Sequence, residues 1–101
     1  MAYTTIDDPS AYFHTQLYSG DGGGSNAITN DANAGDFKPD WLWIKERTAT
    51  SSNTLVDSTR GAGNILLSDS TNAEASAPAV SSLNTDGFTL GSHGAANANT
   101  T

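Results

Sequence analysis

The chain has 101 residues, enough for one domain and too few for a multi-domain enzyme. Its 14 Ala, 13 Thr, 12 Ser, 10 Gly and 9 Asn leave only 22 large apolar or aromatic residues, so any core is thin. Four Lys and Arg against 11 Asp and Glu give a formal charge of −7, which leaves no basic footprint for a phosphate backbone and argues against a nucleic-acid partner.

Large residues come in short clusters separated by Gly, Asn, Asp and Ser. Asp8-Pro9-Ser10 reads as a turn, with Pro9 tolerated at the first helical position. Residues 12–18 alternate, Phe13, Thr15 and Leu17 on one face and Tyr12, His14, Gln16 and Tyr18 on the other, which predicts a first strand. The run Gly20-Asp21-Gly22-Gly23-Gly24-Ser25-Asn26 is a flexible connection, followed by a short strand around Ile28 and a polar loop from Asn30 to Asp36. The strongest strand is Asp40 to Arg47, aromatic and β-branched, between Pro39 and the polar run Thr48 to Asn53. Leu42 and Ile44 fall on one side of it, and Trp41, Trp43, Lys45 and Arg47 on the other. A sheet with one wet face has no use for bulk on both sides, so the second face is expected to meet something.

Leu55-Val56-Asp57, Ile65-Leu66-Leu67 and Val80 to Leu83 are further short strands, with Gly61-Ala62-Gly63 as a break between the first two. Between Ser68 and Pro78 the residues allow one or two helical turns at most. Leu83, Asn84-Thr85-Asp86-Gly87 and Phe88-Thr89-Leu90 form a predicted hairpin, with Asp86-Gly87 supplying the positive φ angles of a tight turn. About seven short strands with turn signals roughly every ten residues predict an all-β fold, an antiparallel β-sandwich of concanavalin-like or jelly-roll-like type, over residues 1–101.

Chemistry-bearing constellations are sparse. There is no cysteine, hence no disulfide framework and no thiolate zinc site. The two histidines, His14 and His93, stand outside any nucleophile-elbow or His-Glu-x-x-His pattern, and Glu46 and Glu74 are not linked by any motif of a glycosidase pair. Asp31-Ala32-Asn33-Ala34-Gly35-Asp36 resembles half of a calcium loop but lacks the third carboxylate and the distant bidentate Glu, so an Asx-rich turn is the better reading. The expectation is a non-enzymatic protein with no cofactor. Asp57 and Arg60 flank a turn and suit a local ion pair.

Trp41 and Trp43 allow two readings. Two indoles two residues apart make a platform for stacking a sugar, or they pack in the core or a subunit interface with the stems of Lys45 and Arg47 alongside. The scarcity of large side chains favours packing. No apolar run reaches the roughly 20 residues of a membrane span, and Met1-Ala2-Tyr3-Thr4-Thr5 lacks the basic and apolar regions of a signal peptide. A membrane partner is therefore not expected.

Five ordered blocks carry a resemblance: Ile6 to Phe13, Leu17-Tyr18-Ser19-Gly20, Pro39 to Arg47, Asp57-Ser58-Thr59-Arg60-Gly61 and Gly87-Phe88-Thr89-Leu90-Gly91. In that order they resemble a tail-fibre-like structural virion module of tailed bacteriophages, of the marine and cyanobacterial phage type. The resemblance implies a concanavalin-like sandwich, the N-terminal module of a longer fibre-type protein, located in the virion. It also implies a homotrimer docked on a tail adaptor, nozzle or capsid protein and supporting host attachment. A head decoration protein or head fibre is the alternative in the same class, and a module binding a host surface glycan through Trp41 and Trp43 the alternative from another. Longer proteins of this type continue past the Gly-Phe-Thr-Leu-Gly block into a strand of the form Tyr-Val-Ala-Trp-x-Trp-Lys. This sequence lacks that strand, so the resemblance implies a sandwich that a neighbouring subunit, an adaptor or a continuation of the chain completes.

Overall fold

The computed structural model of the protein describes residues 9, 12–30 and 37–99. The Asp8 turn and the loop from Asp31 to Asp36 lie outside the described residues. Seven strands and one short helix follow one another as β1 (Asn26–Thr29), β2 (Trp41–Ile44), β3 (Thr54–Asp57), β4 (Asn64–Leu67), β5 (Ala75–Ser76), β6 (Val80–Asn84), β7 (Gly87–Leu90) and α1 (Gly94–Asn97). They form two antiparallel sheets, one ordered β1-β7-β6 and the other β2-β3-β4-β5. The fold is all-β, as the short alternating clusters predict.

One apolar layer joins the sheets. Ile44, Val56 and Ile65 come from the four-stranded sheet and Val80, Phe88 and Leu90 from the three-stranded one, with Ala79 and Ala96 filling the margin. Each strand supplies this layer by its two-residue period: in β3 Thr54 and Val56 are fully buried while Leu55 and Asp57 are only partly so. The Thr54 hydroxyl enters this core without a hydrogen-bond partner.

Several elements depart from the sequence expectations. Residues 12–18 do not form a strand. Their alternation is present, with Phe13, Thr15 and Leu17 exposed and His14, Gln16 and Tyr18 turned partly inward. In place of ladder bonds, Gln16 Nε2 donates to the Thr29 carbonyl (3.1 Å) and Asn26 Nδ2 to the Ser19 carbonyl (3.0 Å), so the segment runs antiparallel to β1 on side-chain bonds. Tyr18 sets its depth: its ring meets Phe88 edge-on at 6.2 Å and its hydroxyl donates to the Ala96 carbonyl at 2.6 Å. Burial pushes that phenol up to about 12.

In the hairpin, Asn84 pairs with Gly87, so the turn residues are Thr85 and Asp86, and no described residue other than glycine has a positive φ. Gly87 is needed for a different reason. It heads the central strand β7 with φ +157°, and a Cβ there would stand 2.0 Å from the Ile28 carbonyl oxygen of β1. Between Ser68 and Pro78, where the sequence allows one or two helical turns at most, the chain forms β5, which pairs Ala75 with Ile65 and Ser76 with Asn64. The strand expected over Asp40 to Arg47 is laddered only from Trp41 to Ile44.

Candidate functional site

The β2 edge carries the four residues singled out from the sequence. Strand β2 pairs with β3 on one side, Leu42 opposite Val56 and Ile44 opposite Thr54, and ends the four-stranded sheet on the other. Ile44 is buried and Leu42 packs against the core, as the alternation predicts. Trp41 and Trp43 are not in the core: they are 50% and 57% exposed. Packing in the core is thus corrected by geometry, because the two-residue period of β2 gives Leu42 and Ile44 to the core and turns both indoles away from it. Lys45 and Arg47 follow past the end of the strand, both exposed, with Glu46 turned partly inward between them and Arg47 at a bend of the chain.

The two indoles do not form a flat platform. Their ring centroids lie 6.0 Å apart at an interplanar angle of 73°, an edge-on contact. Trp43 Nε1 donates to Asn53 Oδ1 at 2.9 Å, which fixes its ring against the loop after β2. Lys45 Nζ curls back to donate to the carbonyls of Glu46 and Ala49, while Glu46 accepts from Thr48 Oγ1 and Ser51 Oγ. The segment from Lys45 to Ser51 is therefore a locally tied arm.

Beside this edge lies an open groove of about 810 Å³, bounded by residues 12–20 on one side and β2 on the other. Tyr12, Phe13 and Leu17 border it and are 69%, 67% and 74% exposed. With the two tryptophans, the five exposed large hydrophobic side chains of the described chain stand around one groove.

The other candidate residues are held apart. His93 precedes α1, its carbonyl accepting from the amides of Ala96 and Asn97, and His14 lies partly buried in the segment beside β1. Glu74 pairs with Arg60 at 3.5 Å, remote in its contacts from Glu46. Asp57 and Arg60 do form the expected ion pair, Arg60 Nε to Asp57 Oδ2 at 2.7 Å, and the Arg60 amide donates to Asp57 Oδ1 at 2.7 Å. That amide and the guanidinium hold the Asp57 carboxyl below the usual carboxylate range. Among the described residues no three His, Asp or Glu side chains stand together as a metal site.

Asn97 is the polar centre that sequence reasoning missed. It is 1% exposed, and its Nδ2 faces Asp21 Oδ1 (2.9 Å), the Gly23 carbonyl (3.0 Å) and the Gly91 carbonyl (2.9 Å). Its Oδ1 accepts from the Asp21 amide and Asn26 Nδ2, each at 3.0 Å, and its carbonyl from Gly22, which sits at φ +71°. The glycine run is thus a cradle around one buried amide instead of a loose linker. Little local signals this, because every partner but Gly91 is more than 70 residues away.

Neither the curated proteins nor the solved structures contain a match to this chain. A family model described as "Domain of unknown function (DUF7483)" matches residues 8–101, more than nine-tenths of the sequence and all of the β2 edge, the Asn97 cradle and both sheets. The chain belongs to the DUF7483 family.

Proposed function

We propose that this protein is a non-enzymatic structural module of a bacteriophage particle, a β-sandwich of a tail fibre or related appendage that docks on other virion proteins. The observation that carries this reading is the gathering of Tyr12, Phe13, Leu17, Trp41 and Trp43 around one groove beside an unpaired sheet edge, a surface suited to protein contact. The blocks that carry the virion resemblance agree with it. Pro39 to Arg47 contains β2, Asp57 to Gly61 is the turn closed by the Asp57–Arg60 pair, and Gly87 to Gly91 contains β7. These are architectural parts.

The glycan-binding reading rests on the exposed indoles, and the 73° angle between them weighs against a shared stacking surface. Labelling of purified phage particles with an antibody against this chain tests the proposal. Label at the tail appendage supports it, label over the head selects a decoration protein, and particles without the chain overturn it. A glycan array on the isolated chain is the companion measurement, with selective binding lost in Trp41→Ala as the result that selects the lectin reading.

A further inference from the structure

Four strands end the two sheets, β1, β6, β2 and β5, and their outer edges differ. The outer edge of β1 is covered by residues 12–20 through the Gln16 and Asn26 side chains. The β6 edge is broken by a register shift between Val80 and Ser82, and β5 is two residues long. Bulges and shortness of this kind protect edges from association. Strand β2 has neither: its four residues pair with β3 without a shift.

The direction of its free backbone groups follows from one hydrogen bond. The Ser58 amide donates to the Asp40 carbonyl at 2.8 Å, which makes residues 40 and 58 a hydrogen-bonded pair. Antiparallel pairs alternate, so Leu42 and Ile44 spend their amides and carbonyls on β3, and Trp41 and Trp43 aim theirs off the sheet. No backbone group of a described residue meets them there. The residues with exposed indoles are the ones whose main chain awaits a partner strand.

Charge narrows the partner. Three of the chain's four cationic residues, Lys38, Lys45 and Arg47, flank β2, and the fourth, Arg60, is engaged by Asp57 and Glu74. On a body of net charge −7 this is the least acidic side, the one on which a second acidic body of the same kind can approach. The exposed side chains along β2 and just past its end follow in the order Trp41, Trp43, Lys45, Arg47: two indoles, then two cations. Read against itself in antiparallel, that order is complementary. We propose that residues 41–47, β2 and the three residues that follow it, pair with the same residues of a second copy across a two-fold axis centred on Ile44, residues 45–47 joining the ladder as they pair and two four-stranded sheets meeting edge to edge.

In that register Trp41 lies opposite Arg47 of the second copy and Trp43 opposite its Lys45, whose Nζ leaves the Glu46 and Ala49 carbonyls to do so, and the two-fold repeats both, giving four cation–indole contacts. Ile44 meets Ile44 on the inner face, and the incoming strand occupies the groove that Phe13 and Leu17 border. Leu42 faces Glu46 of the second copy, whose carboxylate Thr48 and Ser51 already hold. The Trp43 amide, aimed off the sheet, donates across the axis. The pairing rests on the same groove and edge that carry the virion reading and names a second copy of this chain as their occupant; the oligomeric state tests the pairing, and labelling of particles tests the virion reading.

Sedimentation equilibrium of the 101-residue chain, followed in parallel by indole emission, tests the pairing, since both tryptophans of the sequence lie at the contact. A dimer whose emission shifts to the red on dilution is the expected result. The double variant Lys45→Glu with Arg47→Glu, at two exposed positions, should weaken it roughly 10- to 100-fold with an unchanged far-ultraviolet spectrum. The exchange Lys45→Arg with Arg47→Lys should restore it. A trimer, a dimer indifferent to the charge reversal, or a chain monomeric up to roughly millimolar concentration overturns the proposal. Selective glycan binding by a monomer through Trp41 and Trp43 overturns it as well.

Discussion

Asn97 and Thr54 are the two fully buried polar side chains of the described core, and they have opposite energetic consequences. Asn97 satisfies both ends of its amide and gathers three segments, so Asn97→Ala strands several buried donors and acceptors. It should lower stability by about 2–4 kcal/mol in urea unfolding, against less than about 0.5 kcal/mol for a surface exchange such as Ser92→Ala. The Thr54 hydroxyl gains nothing for its burial. Thr54→Val keeps the shape and removes an unpaired polar atom, so it should raise stability by about 1 kcal/mol in the same assay. Asp57 sets an acid limit: a carboxyl held low in the folded state contributes stability above its unfolded value near 3.9, and that contribution is lost as the pH falls through the folded value. The denaturation midpoint should be flat from neutral pH down to about pH 4 and fall below it, and Asp57→Asn should flatten the acid limb.

Strands were legible where two-residue alternation and turn chemistry coincide, as at Leu42 and Ile44, at Val56 and along Val80 to Leu90. They were less legible where something other than a ladder holds an extended chain. Residues 12–18 have the alternation of a strand, yet side-chain amides from Gln16 and Asn26 do the holding. Sequence alternation reports which face a residue takes and is silent on what its backbone bonds. The same limit explains the site: Trp41, Trp43, Lys45 and Arg47 could be placed on one face, but the edge position of β2 depends on which strands pair, a non-local fact. Gly87 illustrates a right residue with a different role. Because a Cβ would collide with the Ile28 carbonyl across the β1–β7 ladder, Gly87→Ala should cost about 1–3 kcal/mol or more. A mere turn glycine would give a loss within a few tenths when replaced by Asn, so comparing Gly87→Ala with Gly87→Asn separates the two roles, both being severe if the close approach governs.

The sandwich is closed by contacts between residues distant in sequence. Strand β1 pairs with β7, and Asp21 meets Asn97 across a separation of 76 residues. Loop closure must precede those contacts, so folding should be slow for a chain of this size, with stopped-flow refolding in milliseconds to seconds instead of microseconds. Asn97→Ala should act mainly on the unfolding limb if the cradle forms late, which the two arms of the kinetic plot resolve.

The cradle around Asn97 also has a mechanical meaning. Residues 21–26 and 91–97 are clasped together by bonds that lie outside both sheet ladders. Tension applied to the polypeptide from beyond the two clasped segments is carried across the clasp and bypasses the strands between them. Everything from β1 to β7 then sits in an unloaded loop, like rope slack behind a knot. A protein pulled by its attachments would keep its shape until that knot slips, and Asn97 is the amide on which the knot is tied.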